Sequence, residues 1–125
     1  MRWAILLAGL LAQPAVASSA PRILDCAFTT ECDSPAATCT TTVDPILSFA
    51  LVIAQEGETA RYEGDATSPP MQVDYTEEGV LLAYDPAGPT LTSVGADGAA
   101  VHSSNLILLA HDVRAAQWIG TCRTR

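Results

Sequence analysis

From residue 46 onward, apolar and polar positions alternate in short runs separated by turn-forming residues. The strongest run is 46–53. Leu47, Phe49, Leu51 and Ile53 line one face, and Ile46, Ala50 and Val52 leave the other nearly apolar, which predicts a strand near the middle of the structure. Gln55-Glu56-Gly57 turns the chain into a second strand over 59–63. A loop follows over 64–70, because Pro69-Pro70 cannot continue a ladder. Met71, Val73 and Tyr75 alternate with Gln72, Asp74 and Thr76 as a half-buried strand. Glu77-Glu78-Gly79 turns into 80–84, and Asp85-Pro86-Ala87-Gly88-Pro89 turns into 90–94. Gly95-Ala96-Asp97-Gly98 then joins 90–94 to 99–103 as the clearest hairpin signal. Strands at 106–110 and 115–122 complete the series. Leu106, Leu109, Ala110, Val113 and Trp118 also carry helical spacing, but Asp112 and Gly120 bracket a length suited to a hairpin arm. Turn signals every 8–12 residues predict an all-β fold, a small antiparallel sandwich or barrel of meander type.

The first twenty residues follow a different pattern. Arg2 precedes an apolar run, Ala4 to Ala12, which Gln13-Pro14 breaks before the small-x-small sequence Ala15-Val16-Ala17. This is the layout of a signal-peptide helix over 1–20, with cleavage after Ala17 or after Ala20. The apolar run of nine residues is too short to cross a bilayer, which takes roughly 20. A single soluble domain over 21–125 is therefore expected, periplasmic or secreted, with no membrane span in the mature chain.

Cysteine use agrees with an oxidising compartment. Cys26, Cys32, Cys39 and Cys122 all lie beyond the leader, and four cysteines allow three pairings. Turn formers between Cys32 and Cys39 make a local bridge easy, which leaves Cys26 for Cys122. Strand phase favours the same pairing. Cys26, Phe28 and Thr30 would share one face of the first strand, and Trp118, Gly120 and Cys122 one face of the last. With Cys26 opposite Cys122, Phe28 falls opposite Gly120, an aromatic over a strand glycine. Cys-x5-Cys-x6-Cys matches neither zinc-ligand spacing nor a Cys-x-x-Cys redox pair.

Charge narrows the partners. Past the leader, five arginines face fourteen acidic residues, a formal charge of −9, and the chain has no lysine. Nucleic acid is disfavoured, because its binding relies on basic side chains. A basic partner is compatible with the acidic surface. Arg114, Arg123 and Arg125 make the C-terminal end locally basic and read as a frayed tail.

The chemistry-bearing residues are few. His102 and His111 are the only histidines, near Ser103, Ser104 and Asp112. A hydrolase or a metal-binding protein built on His102 or His111 is the alternative reading. Against it, there is no Gly-x-Ser-x-Gly elbow, and His102 and Ser103 point to opposite faces of a strand. His102 reads as a partly exposed strand residue and His111 as a solvated turn residue. Glu56, Glu58, Glu63 and Asp65 lack calcium-loop spacing and read as solvated strand edges, as does Glu77-Glu78. No phosphate loop or dinucleotide fingerprint occurs. The expectation is a non-enzymatic domain without cofactor, metal or catalytic residue. It would be monomeric and would bind a protein or small-molecule partner.

The start Leu24-Asp25-Cys26-Ala27-Phe28-Thr29-Thr30-Glu31-Cys32, the hairpin from Gly95 to His102 and the ending Gln117-Trp118-Ile119-Gly120-Thr121-Cys122 resemble a group of small exported proteobacterial proteins. That resemblance covers the two ends and implies a periplasmic β-domain, with no activity attached. In size, class and cysteine placement the chain is also similar to the C-type lysozyme inhibitors, small periplasmic barrels. It lacks a counterpart of their Ser/Gly/Tyr-containing recognition loop. The likeness is one of fold alone, and an inhibitor-like binding role is kept beside it as an expectation.

Overall fold

In the computed structural model, which describes residues 20–108 and 111–125, every regular element is a strand. The expected leader and its cleavage point after Ala17 lie outside the described residues; Ala20 is the first residue inside them. Nine strands run in order: β1 (Arg22–Ser34), β2 (Thr38–Thr41), β3 (Leu47–Ile53), β4 (Thr59–Glu63), β5 (Met71–Tyr75), β6 (Leu81–Tyr84), β7 (Thr90–Val94), β8 (Ala99–Leu108) and β9 (Asp112–Thr124). All pairings are antiparallel, and β1 and β3 to β9 form a meander that closes when β9 pairs with β1. The fold is thus an eight-stranded barrel, and of the two expected architectures the sandwich is excluded. β2 is a ninth strand, laid against the far half of β1. No helix among the described residues is long and apolar enough to cross a membrane.

Closure fixes the register of the two ends. Cys26 lies opposite Cys122 and Phe28 opposite Gly120. Disulfides join Cys26 to Cys122 and Cys32 to Cys39, and no free cysteine remains among the described residues. Gly120 has a stricter reason to be glycine than coverage by an aromatic ring. A Cβ there would collide with the Ala27 carbonyl oxygen and lie 2.6 Å from Phe28 Cα, so β1 could not approach. Gly98 ends the β7–β8 turn at φ +91°, and its carbonyl accepts the Cys122 N–H at 2.8 Å. Turn and closing strand are fastened together there.

Three expectations about the elements need correction. Residues 99–103 and 106–108 are not two strands, and positions 109–110 of the second expected strand lie outside the described residues. β8 runs unbroken to Leu108, because Ser104 and Asn105 stay in the ladder opposite Ala116 and Ala115. Thr30 does not share a face with Cys26 and Phe28. A bulge at Thr29 advances β1 by one residue, so Thr30 lies opposite Ile119 and faces out, where its hydroxyl meets that of Thr41 at 2.9 Å. Nor is the C-terminus frayed. The Arg125 N–H donates to the Ile23 carbonyl, and its guanidinium donates to both carboxylate oxygens of Asp25 at 3.1 and 2.6 Å. That hydrogen-bonded pairing holds the Asp25 carboxyl below its ordinary range.

Inward residues of successive strands fill the lumen: Leu24, Cys26 and Phe28 from β1, Leu51 and Ile53 from β3, Val73 from β5, Leu81 and Ala83 from β6, and Val94, Ala100 and Cys122 from β7 to β9. In a closed barrel no strand is more central than another, so β3 has two neighbours, β1 and β4, as any barrel strand would; its second face is buried too, at Ala50 and Val52. β1 and β9 span 13 residues each and β8 spans 10, against four to seven for the other strands. These three therefore overhang one end of the barrel and carry its inner surface outward.

Candidate functional site

The polar residues of the lumen gather near the end that carries the overhang. His102 lies opposite Thr92 on one side and Trp118 on the other, and Trp118 lies opposite Glu31. Directly opposed residues share a face, so Thr92, His102, Trp118 and Glu31 form one inward row across β7, β8, β9 and β1. The bulge at Thr29 is what turns Glu31 and Asp33 inward beyond Phe28.

Tyr62 reaches this row from β4. Its hydroxyl sits 2.7 Å from Thr92 Oγ1, which in turn sits 2.8 Å from His102 Nδ1. Thr92 is wholly buried and His102 is 8% exposed. The reading of His102 as partly exposed is therefore overturned: its inward phase on β8 places the ring in the core. Phe28, Phe49, Tyr62 and Trp118 surround that ring at centroid distances of 6.1, 5.2, 5.4 and 5.5 Å. Burial lowers the His102 pKa from 6.5 to about 4, so the imidazole is neutral at physiological pH. Burial likewise raises the Tyr62 pKa. A neutral imidazole offers one donor and one acceptor, and Nδ1 is committed to Thr92.

This arrangement does little for the hydrolase reading. Ser103 sits on the opposite face of β8, and no carboxylate shares a hydrogen bond with His102 among the described residues. His111 is exposed in the β8–β9 turn, at least six residues further along, about 20 Å at strand spacing. The two histidines do not converge. Among the described residues no three His, Cys, Asp or Glu side chains are placed to hold a metal. Glu63 pairs with Arg61, and Glu56 accepts from the Thr59 hydroxyl, so two of the four acidic residues near β4 have partners within their own hairpin.

Above the row lies an open pocket of about 430 Å³, in the size range of ligand sites. Trp118 lines its barrel side. Ser104 and Ala116 line the sheet above, and the β1–β2 turn at Ser34-Pro35-Ala36 makes a wall. Asp33 and Arg114 supply its charges, with the Arg114 guanidinium 3.2 Å from Asp112. A larger groove of about 730 Å³ crosses the outer wall over Ala27, Ser48, Ala50 and Thr121. There the Arg125–Asp25 pair neutralises its own charge. Phe49, Glu63 and Arg123 also line that groove; the mouth pocket is the better site, because Trp118 joins it to the polar row of the lumen.

Strand phase in the sequence puts Trp118 on one face with Gly120 and Cys122, and nothing in the sequence marks this site. The inward turn of Asp33 depends on the bulge, and Tyr62 reaches Thr92 across the lumen from a strand thirty residues away. Neither has a local signature. The chain matches no protein-family model, and no characterised protein or solved structure shows significant similarity to it.

Proposed function

We propose that this protein is an exported, non-catalytic binding domain, periplasmic or secreted, that engages a partner at the mouth of its barrel. The observation that carries the reading is the pocket formed by Trp118, Ser104, Ala116 and the β1–β2 turn over a closed, hydrogen-bonded core. Two disulfides suit an oxidising compartment. The likeness to lysozyme inhibitors makes a cell-wall lytic enzyme one candidate partner. The histidine-based hydrolase is the weaker reading, since His102 is enclosed by four aromatic rings and bound to Thr92.

The test is partner capture from periplasmic extract, together with lysozyme inhibition, by the leader-free chain. The Ala116→Arg variant would fill the pocket while leaving the core intact. The expected result is capture or inhibition by the wild-type chain and its loss in Ala116→Arg, with unchanged far-UV circular dichroism. Equal capture by both proteins would overturn the mouth as the site.

A further inference from the structure

We infer that the barrel mouth receives a cationic side chain, a guanidinium or ammonium presented by a basic protein, laid against Trp118 and held by Glu31 and Asp33. The inference rests on the mouth being the binding site. It begins with register. Glu31 lies opposite Trp118, and Asp33 lies opposite Ala116, so both carboxylates share the inner face with the indole. Asp33 and Trp118 line the same pocket, whose volume of about 430 Å³ is ample for a guanidinium and its aliphatic stem. Neither Glu31 nor Asp33 enters an ion pair among the described residues.

The positive group at the rim does not answer them, since the Arg114 guanidinium is bonded to Asp112. An indole attracts a cation through the negative face of its π system, and flanking carboxylates add charge-assisted hydrogen bonds. On β2, Thr40 lies opposite Glu31 and Thr38 opposite Asp33, which adds hydroxyls beside the carboxylates. An anionic ligand in this pocket would meet the Asp33 carboxylate, with Glu31 on the same face of β1, and a guanidinium already paired with Asp112. A chain with no lysine and a formal charge of −9 past its leader also attracts a basic protein at long range.

The protein carries its own probe. Trp3 lies in the leader, so Trp118 is the only tryptophan of the exported chain. Its emission is titrated with an arginine-rich decapeptide and with an aspartate-rich one of equal length, at fixed ionic strength. The expected result is saturable quenching or shift with the basic peptide alone. Affinity should weaken at least tenfold in Glu31→Gln/Asp33→Asn and stay within twofold in Glu77→Gln/Glu78→Gln. The last variant removes the same charge from the β5–β6 turn, which the strand order places at the opposite end of the barrel. Equal weakening in both double variants would reduce the effect to general attraction and overturn the proposal. So would binding of the acidic peptide, or a silent indole with both. Partner capture that Ala116→Arg abolishes and Glu31→Gln/Asp33→Asn leaves intact would sink the cation while sparing the mouth. Capture that survives Ala116→Arg would remove the mouth itself.

Discussion

His102 is an ionisable group held in its neutral form by the aromatic rings around it. Its folded pKa of about 4 lies below the unfolded value near 6.5, so the unfolded chain takes up the proton first as pH falls. The stabilisation is full above pH 6.5 and fades as pH drops toward 4, by up to about 3 kcal/mol. In a domain of this size that is a large share of total stability. Urea unfolding of the wild-type chain at pH 7.5 and pH 4.5 should show this loss. His102→Gln, whose amide can either donate to or accept from the Thr92 hydroxyl but does not titrate, should lack that component. Gly120 gives the second residue-scale prediction. A methyl group there meets the backbone of Ala27 and Phe28, and backbone cannot step aside as a side chain can. Gly120→Ala should cost about 3 kcal/mol or more, read as a drop in the urea midpoint.

Among the elements, β1 carries the most information. Its alternation shows in the sequence up to Phe28, and the pairing of Cys26 with Cys122 and of Phe28 with Gly120 follows from that phase together with the phase of β9. Past Phe28 the phase reverses. A bulge leaves little trace in residue identity, since Thr29 and Thr30 are equally at home in a regular strand. The inner face of the overhang was hidden for that reason. The burial of His102 was hidden for another: alternation assigns a face, whereas burial depends on what the opposite wall contributes, here Phe49 and Tyr62. The two disulfides should differ in weight at this scale. On the chain-entropy account, closing a loop across a separation of 96 residues stabilises by about 5 kcal/mol, and across seven by about 2. Cys32→Ala/Cys39→Ala should thus give a folded, moderately weakened domain. Cys26→Ala/Cys122→Ala should be close to unfolding at 37 °C, as thermal melts would record.

Over the whole molecule, each of β3 to β9 pairs with its neighbour in sequence, and a single long-range seam, β1 with β9, converts the meander into a barrel. The seam carries the disulfide, the bulge, Gly120 and the Arg125–Asp25 pair at the base. Its extension past the barrel builds the mouth. Stability and the proposed recognition therefore draw on the same two strands. Gly120→Ala, which forces the two strands of the seam apart, should weaken partner capture although Gly120 does not line the pocket. Arg125→Ala, at the base, should lower the melting temperature only slightly, as exposed ion pairs do. It should leave the basic-peptide affinity within twofold, so that the two effects of the seam separate along its length.

The position of the four cysteines has a further consequence in time. If the proposed export delivers the chain N-terminus first into an oxidising space, Cys26, Cys32 and Cys39 enter it well before Cys122. The native partner of Cys32 is seven residues away, but that of Cys26 arrives last. During delivery Cys26 meets the two wrong thiols first, and either premature bond leaves the seam open. Correct oxidation then calls for Cys26 to wait as a thiol or for thiol–disulfide exchange to release it. Oxidative refolding in air alone should accumulate species with Cys26 joined to Cys32 or Cys39. A glutathione couple or a disulfide isomerase should convert them to the barrel, as non-reducing peptide maps over time would show.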